Sequence, residues 1–181
     1  LGFVLERPRC LLRLDMGLGK TAVMVHAIEH WRDARVLIVA PKRVALSVWA
    51  QEFRAWGFDT EVQVLTGKPP RDRVPRSRVV VVNFELLKWL STYHGKTWPY
   101  DVMVIDEATK IKNPTGVATR LVKRASKHVD RMVLLTGTGA PNGMQDLWAP
   151  VYMLDHGQRL GKTITEFRAR YMLPERFPEF V

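Results

Sequence analysis

Short apolar runs alternate with longer amphipathic stretches along this chain, a pattern that predicts a mainly parallel sheet with helices packed on both faces. Leu11 to Leu14 reads as the first strand and Lys20 to Trp31 as the first helix, with Val23, Ala27 and Ile28 at helical spacing. Val36 to Ala40 (VLIVA) is a fully apolar strand ended by Pro41. From Val44 to Trp56, the spacing of Leu46, Trp49, Phe53 and Trp56 by threes and fours predicts one helix with these four side chains on its packed face. Glu61 to Leu65 alternates and runs into Gly67, as a strand does. Val79 to Val82 (VVVV), Val102 to Ile105 (VMVI) and Met132 to Leu135 (MVLL) complete the strands. Between them the chain predicts a short helix over Phe84 to Leu90 and a loop over Ser91 to Pro99. A basic helix over Gly116 to Lys127 should turn Val117, Leu121, Val122 and Ala125 inward and leave Arg120, Lys123, Arg124 and Lys127 in solvent. Helices over Gln145 to Met153 and around Thr165 to Tyr171 follow, then an irregular tail, LPERFPEFV. The proline- and arginine-rich segment Lys68 to Arg78 (KPPRDRVPRSR) is a loop, most simply a solvated connector.

Composition narrows the setting. The 181 residues are 46% hydrophobic, enough for one globular unit with a sizeable core. Lys and Arg number 28 against 18 Asp and Glu, a formal charge of +10 and an isoelectric point near 10.1, the balance of a chain that meets polyanions. The single cysteine, Cys10, excludes an intrachain disulfide framework and a multi-cysteine metal site, and reads as a small core filler. No apolar run approaches the ~18 residues of a membrane span, and the N-terminal LGFVLERPRC lacks the charged-then-apolar order of a signal peptide. The expectation is a soluble intracellular protein of cytoplasm, nucleoid or nucleus, with no membrane partner. A start on Leu-Gly-Phe-Val instead of Met further suggests a single lobe, residues 1–181, cut from something longer, with 172–181 as the irregular tail.

Candidate chemistry clusters where strands end. After the first strand, Gly17 and Gly19 precede Lys20 and Thr21 at the start of a helix. Glycines there let backbone N–H groups turn inward around phosphate oxygens, the helix N-terminus favours negative charge, Lys20 reaches the β/γ-phosphates and the Thr21 hydroxyl can hold Mg²⁺. The strict phosphate-loop pattern asks for a glycine where Leu14 stands, so an ordinary glycine turn before a helix is the plainer alternative. Asp106 and Glu107 close the VMVI strand: the first is placed to hold Mg²⁺ and the second to deprotonate an attacking water. The plainer alternatives are a cap at Asp106 and ion pairs from Glu107 to Lys110 or Lys112. Thr136, Gly137, Thr138 and Gly139 close the last strand, while Pro41, Lys42 and Arg43 follow the second and Asn83 follows VVVV. Open parallel sheets bind ligands beyond the carboxyl ends of their strands, so these clusters should share one rim.

These residues carry a resemblance. DMGLGKT, VAPKRVALSVWAQEFRAW, VVNFELL, VIDEATKIKN and LLTGTGAPNG, in this order, resemble motifs I, Ia, Ib, II and III of the superfamily II helicase-like ATPases, and the Swi/Snf branch in particular. The resemblance covers about Leu11 to Trp148 and accounts for Leu14, because that branch does not require the first glycine. Thr109 stands where DEAH-type members carry His, and Gly139 where many carry Pro. It implies a RecA-like lobe: an α/β, three-layer P-loop NTPase fold with a mainly parallel central sheet and helices on both faces. It also implies ATP and Mg²⁺ as cofactors, with Met16, Gly17, Leu18, Gly19, Lys20, Thr21 and Asp106 on the nucleotide, Thr21 and Asp106 on the metal, and Lys20, Asp106 and Glu107 as the catalytic set. Nucleic-acid backbone contacts fall on Lys42, Arg43, Ser47 and Asn83, with Thr136, Gly137 and Thr138 nearby; Thr109, Thr136 and Thr138 carry the coupling between hydrolysis and motif III. The implied partners are double-stranded DNA and a second RecA-like lobe that supplies an arginine finger, a group contributing about 10³ to 10⁵ in rate. That lobe is expected outside this sequence, so the lobe alone should bind ATP·Mg²⁺ and hydrolyse it poorly.

Two rival readings remain at this stage. Another P-loop enzyme, such as a small-molecule kinase, would use the same loop and carboxylate but needs a lid and an acceptor pocket that the sequence does not display. A non-catalytic nucleic-acid-binding lobe has no need of Glu107. Trp49 and Trp56 suit base stacking in isolation, yet their spacing with Leu46 and Phe53 favours packing.

Overall fold

A computed structural model describes residues 1–67, 75–95, 97–137 and 143–172. Six parallel strands form one sheet in the order β1-β6-β5-β2-β4-β3: β1 Arg9–Arg13, β2 Val36–Ala40, β3 Val62–Leu65, β4 Val79–Asn83, β5 Val102–Asp106 and β6 Arg131–Thr136. Successive side chains point to opposite faces, and the apolar runs β2, β4, β5 and β6 feed two cores at once. Val36, Ile38, Val79, Val81, Val104 and Val133 face α2 (Lys20–His30), α3 (Lys42–Ser47) and α4 (Trp49–Ala55). Leu37, Val39, Val80, Val82, Met103, Ile105 and Leu134 face α5 (Leu87–His94), α6 (Val117–Ala125) and α7 (Gln145–Asp155). The three-layer α/β architecture is the expected one. Among the described residues no helix is long and apolar enough to cross a membrane.

Several boundaries move, each for a local reason. A short helix α1 (Gly2–Glu6) precedes β1, which starts at Arg9 and pairs with β6 from Arg9↔Met132 to Arg13↔Thr136. Leu14 therefore leaves the ladder and belongs to the glycine loop, tied back to β6 by its N–H to the Thr136 carbonyl at 3.2 Å. The segment expected as one helix from Val44 to Trp56 is two, α3 and α4, kinked at Val48 (φ −89°, ψ −56°). The kink turns Trp49 and Phe53 fully into the core while Leu46 and Trp56 stay 55% and 51% exposed, so the predicted four-residue face is only half realised. Trp56 lies past the end of α4, where its indole donates to Glu52 at 3.2 Å and meets the His26 ring edge-on at 4.7 Å.

Helix α5 runs through the stretch expected as loop as far as His94, with the Ser91 and Thr92 hydroxyls donating to the Leu87 and Lys88 carbonyls one turn back (2.8 and 3.0 Å), and it stops at Gly95 (φ +56°). In α6 the inward places go to Thr119, Val122 and Ala125, whereas Val117 is 57% exposed at the helix start. Arg120, Arg124 and Lys127 are solvated as expected; Lys123 instead lies 3.9 Å from the centre of the Tyr152 ring. Helix α8 (Ile164–Tyr171) opens on Thr163, whose hydroxyl accepts from the Glu166 N–H. Cys10 is a buried free thiol of the strand core, and burial pushes its ionisation up. The readings for residues 68–74, for Thr138 and Gly139, and for the tail beyond Met172 lie outside the described residues.

One cation fastens the sheet edge to the helices. Arg9, at the start of β1, donates to the carbonyls of Ser126 (2.8 Å), Val129 (2.6 Å) and Met153 (3.2 Å) near the C-terminal ends of α6 and α7, where carbonyls lack intrahelical partners and favour positive charge. Replacing Arg9 by Met leaves those oxygens unpaired and should lower unfolding free energy by about 2–3 kcal/mol in denaturant titration.

His94 packs against the rings of Tyr93, Trp98 and Tyr100, and burial first, then the nearby Arg35 cation, hold its protonation below the ordinary 6.5. An imidazole with a depressed folded value gains its proton first in the unfolded chain, so its contribution to stability is present above about pH 6.5 and is lost as pH falls. His156 is shifted the same way and adds to the loss. Unfolding midpoints measured at pH 7.5 and 5.5 should therefore drop less in His94→Gln than in the parent chain.

Candidate functional site

The carboxyl ends of β1, β6, β5 and β2 lie side by side, so the loops that follow them share one rim, as the sequence pattern requires. The strand carrying Thr136 sits between the strand that feeds the glycine loop and the strand that ends in Asp106.

Gly17 and Gly19 hold φ of +83° and +73°, values open to glycine and strained for other residues, and they turn the loop outward before α2 begins at Lys20. Met16 and Leu18 ride on the surface, 89% and 60% exposed. Lys20 Nζ donates to the carbonyls of Leu14 (2.7 Å) and Asp15 (2.9 Å), which aims its charge back along the loop. Gly137 lies at the same place: a Cβ there would stand 3.4 Å from Met16 Cγ and 3.7 Å from Lys20 Nζ, ordinary contact distances that put the end of β6 against the loop. Thr21 is half-buried on the first turn of α2.

Asp106 is the last residue of β5 and its Oδ2 accepts from the buried indole N–H of Trp49 at 3.0 Å. Burial, the largest influence, raises its protonation above the ordinary carboxyl value; the Trp49 hydrogen bond opposes the shift, Glu107 adds to it, and Lys20 opposes it. A half-buried carboxylate in that position favours a compensating cation, and one carboxylate with one hydroxyl is a hard-oxygen donor set of the kind Mg²⁺ accepts when phosphates and waters complete its shell. The residues present therefore fit that metal. Among the described residues no group of three or more His, Cys, Asp or Glu could hold an ion alone.

Glu107 has a left-handed backbone (φ +75°), unusual for a residue with a Cβ, which turns its side chain sharply from the direction of the strand. Its Oε1 accepts from Thr109 Oγ1 at 2.7 Å and Thr136 Oγ1 at 3.3 Å, and among the described residues nothing bonds Oε2. Neither lysine offered as an alternative partner is paired with it; Lys112 instead meets Asp146 of α7 at 3.2 Å. The three residues Glu107, Thr109 and Thr136 thus form one contact set, joining the second and third motifs.

The expected nucleic-acid residues divide. Lys42, Arg43 and Ser47 are exposed on α3, the Ser47 hydroxyl donating to the Arg43 carbonyl at 2.9 Å. Asn83 is 2% exposed and its amide donates to Glu85, and Thr136 is 4% exposed, so neither offers a face to an outside polymer. Gly137 is half-buried on the rim, and Thr138 falls outside the described residues. The Trp49 contact with Asp106 had no sequence signal, since core spacing describes its ring and says nothing of its N–H.

Known proteins resemble this chain in sequence and in fold. A putative protein, p41, of Acyrthosiphon pisum secondary endosymbiont phage 1 is 35% identical over 192 residues, covering 97% of this chain and 42% of that protein. The DNA excision repair protein ERCC-6-like of Mus musculus is 30% identical over 91% of this chain and 14% of its own length. In fold, the chain matches a Sulfolobus solfataricus SWI2/SNF2 ATPase core in complex with dsDNA with a TM-score of 0.76 at 24% identity, over 92% of this chain and 35% of that one. The chain thus spans less than half the length of these relatives. The model of the SNF2-related domain matches residues 6–174, and the chain belongs to that family.

Proposed function

We infer that this chain is the ATP-binding and hydrolysing lobe of a Swi/Snf-like, DNA-dependent ATPase. The observation that carries the reading is the presentation of Glu107: a left-handed turn beside Asp106, with one carboxylate oxygen held by two hydroxyls and the other without a hydrogen bond among the described residues, on the rim of the Gly17–Thr21 loop. A passive binding lobe has no use for that group. Met16 to Thr21 cradle the nucleotide phosphates with backbone N–H groups, and Lys20 swings from the Leu14 and Asp15 carbonyls to the β/γ-phosphates as a point charge. Thr21 and Asp106 would hold Mg²⁺, which would supply positive charge against the phosphates. Glu107 Oε2 takes the proton of the attacking water, while Thr109 and Thr136 keep the carboxylate from rotating away. Because Thr136 ends β6 and Gly137 touches the loop, a shift of that strand end alters both the base and the phosphate cradle.

Lys42, Arg43 and Ser47 on α3, together with Gly137 just after β6, bind nucleic-acid phosphates without reading sequence. The charge of +10 supports a polyanionic partner, and the neighbour in complex with dsDNA supports duplex DNA. The greater length of the relatives supports a second RecA-like lobe that brings the arginine finger; the lobe alone binds ATP·Mg²⁺ and turns over slowly.

The decisive assay is ATP hydrolysis by the complete protein with and without duplex DNA. Glu107→Gln should bind ATP like the parent and lose about 10²–10⁴ in kcat; equal turnover would remove Glu107 from catalysis. The double variant Lys42→Gln, Arg43→Gln should weaken duplex binding across unrelated sequences and flatten the log–log salt dependence by about 2. An unchanged slope would move the DNA contact off α3.

A further inference from the structure

Trp49 is the first residue of α4 and is fully buried between that helix and the sheet, with Phe53 beside it and Ile38 and Ala40 in the same core. Its ring needs no explanation beyond packing. Its N–H does: an indole donor buried without a partner costs about 1–3 kcal/mol, and here it points to Asp106 Oδ2 at 3.0 Å across the sheet layer. Among the described residues this is the only hydrogen bond to the Asp106 carboxylate, and it occupies Oδ2, leaving Oδ1 free. A short acidic side chain at a strand end has two χ angles to settle, and the bond settles both by fixing one oxygen to a group that cannot move without repacking the core.

We propose that Trp49 is a positioning residue for the metal-binding carboxylate: its N–H anchors Oδ2 of Asp106 so that Oδ1 faces the site. The inference rests on the reading of Asp106 as the Mg²⁺ ligand. Groups that hold a metal-binding side chain through its second polar atom commonly govern affinity by 10–100-fold. The position of Trp49 in the chain adds to the assignment. Only Val48, the kink residue, separates it from Ser47, so the helix with the exposed Lys42 and Arg43 and the anchor of Asp106 are one continuous piece of backbone, hydrogen-bonded across the kink by Val48 N–H to Val44 O (3.0 Å) and Glu52 N–H to Val48 O (2.9 Å).

The test replaces Trp49 by 3-benzothienylalanine, which keeps the bicyclic shape and deletes the N–H, alongside Trp49→Phe and Asp106→Asn in the complete protein. Mn²⁺ affinity is read by electron paramagnetic resonance in the presence of a non-hydrolysable ATP analogue, with thermal unfolding as the folding control. The isosteric variant should unfold within a few degrees of the parent and bind Mn²⁺ about tenfold more weakly. Its kcat should recover at saturating Mg²⁺, a split that simple loss of packing does not produce. Parental Mn²⁺ affinity in the isosteric variant, with affinity lost in Asp106→Asn, overturns the role of Trp49 alone. Parental affinity in Asp106→Asn as well overturns the metal-ligand reading on which it rests.

Discussion

A parallel sheet sealed on both faces by helices has only its two ends left for polar chemistry. Here four central strands, β2, β4, β5 and β6, carry side chains that are almost all below a few per cent exposed, so no catalytic group can sit along their length. The consequence is geometric: Lys20, Asp106, Glu107, Thr136 and Gly137 are brought together because each lies at the end of a strand or in the segment that follows one. The site is what remains after burial has claimed everything else. Its internal spacing is set by the 4.7–4.9 Å separation of neighbouring strands, a distance the hydrogen-bond ladder does not allow to vary.

That crowding sets the electrostatics. Asp106 and Glu107 are adjacent, partly buried and alike in charge, a combination that opposes ionisation unless donors and cations answer it. The chain answers with groups of different kinds. Trp49 and the two threonine hydroxyls give neutral hydrogen bonds that fix direction, and Lys20 gives charge at longer range. Neutral donors orient a carboxylate without cancelling its charge. A lysine or arginine in place of Trp49 would pair with Asp106 and cancel that charge.

The strands were legible in the sequence because a doubly buried strand is apolar at every position, and VLIVA, VVVV, VMVI and MVLL have no helical counterpart of that length. The residues just after them were legible for the same reason, since a carboxylate or a glycine is conspicuous behind such a run. What failed was anything decided by a single backbone torsion. The kink at Val48 left Leu46 and Trp56 outside although their spacing matched Trp49 and Phe53, and periodicity assumes an unbroken axis. Asn83 looked like a rim residue but folds back onto Glu85, an outcome fixed by a neighbour two positions away. The partnership of Thr109 with Glu107 depends on a left-handed residue that no spacing encodes.

The threonine at position 109 has a further meaning. In the DEAH-type pattern the corresponding position is a histidine, a side chain that changes charge between about pH 5 and 8 and has two inequivalent nitrogens. A hydroxyl has neither property. It does not titrate in that range and rotates freely to place its one proton, so the hold on Glu107 Oε1 involves no protonation event and no choice of tautomer. In this chain the contact that joins Thr109 to Glu107 therefore has no donor that titrates between about pH 5 and 8, as a histidine there would.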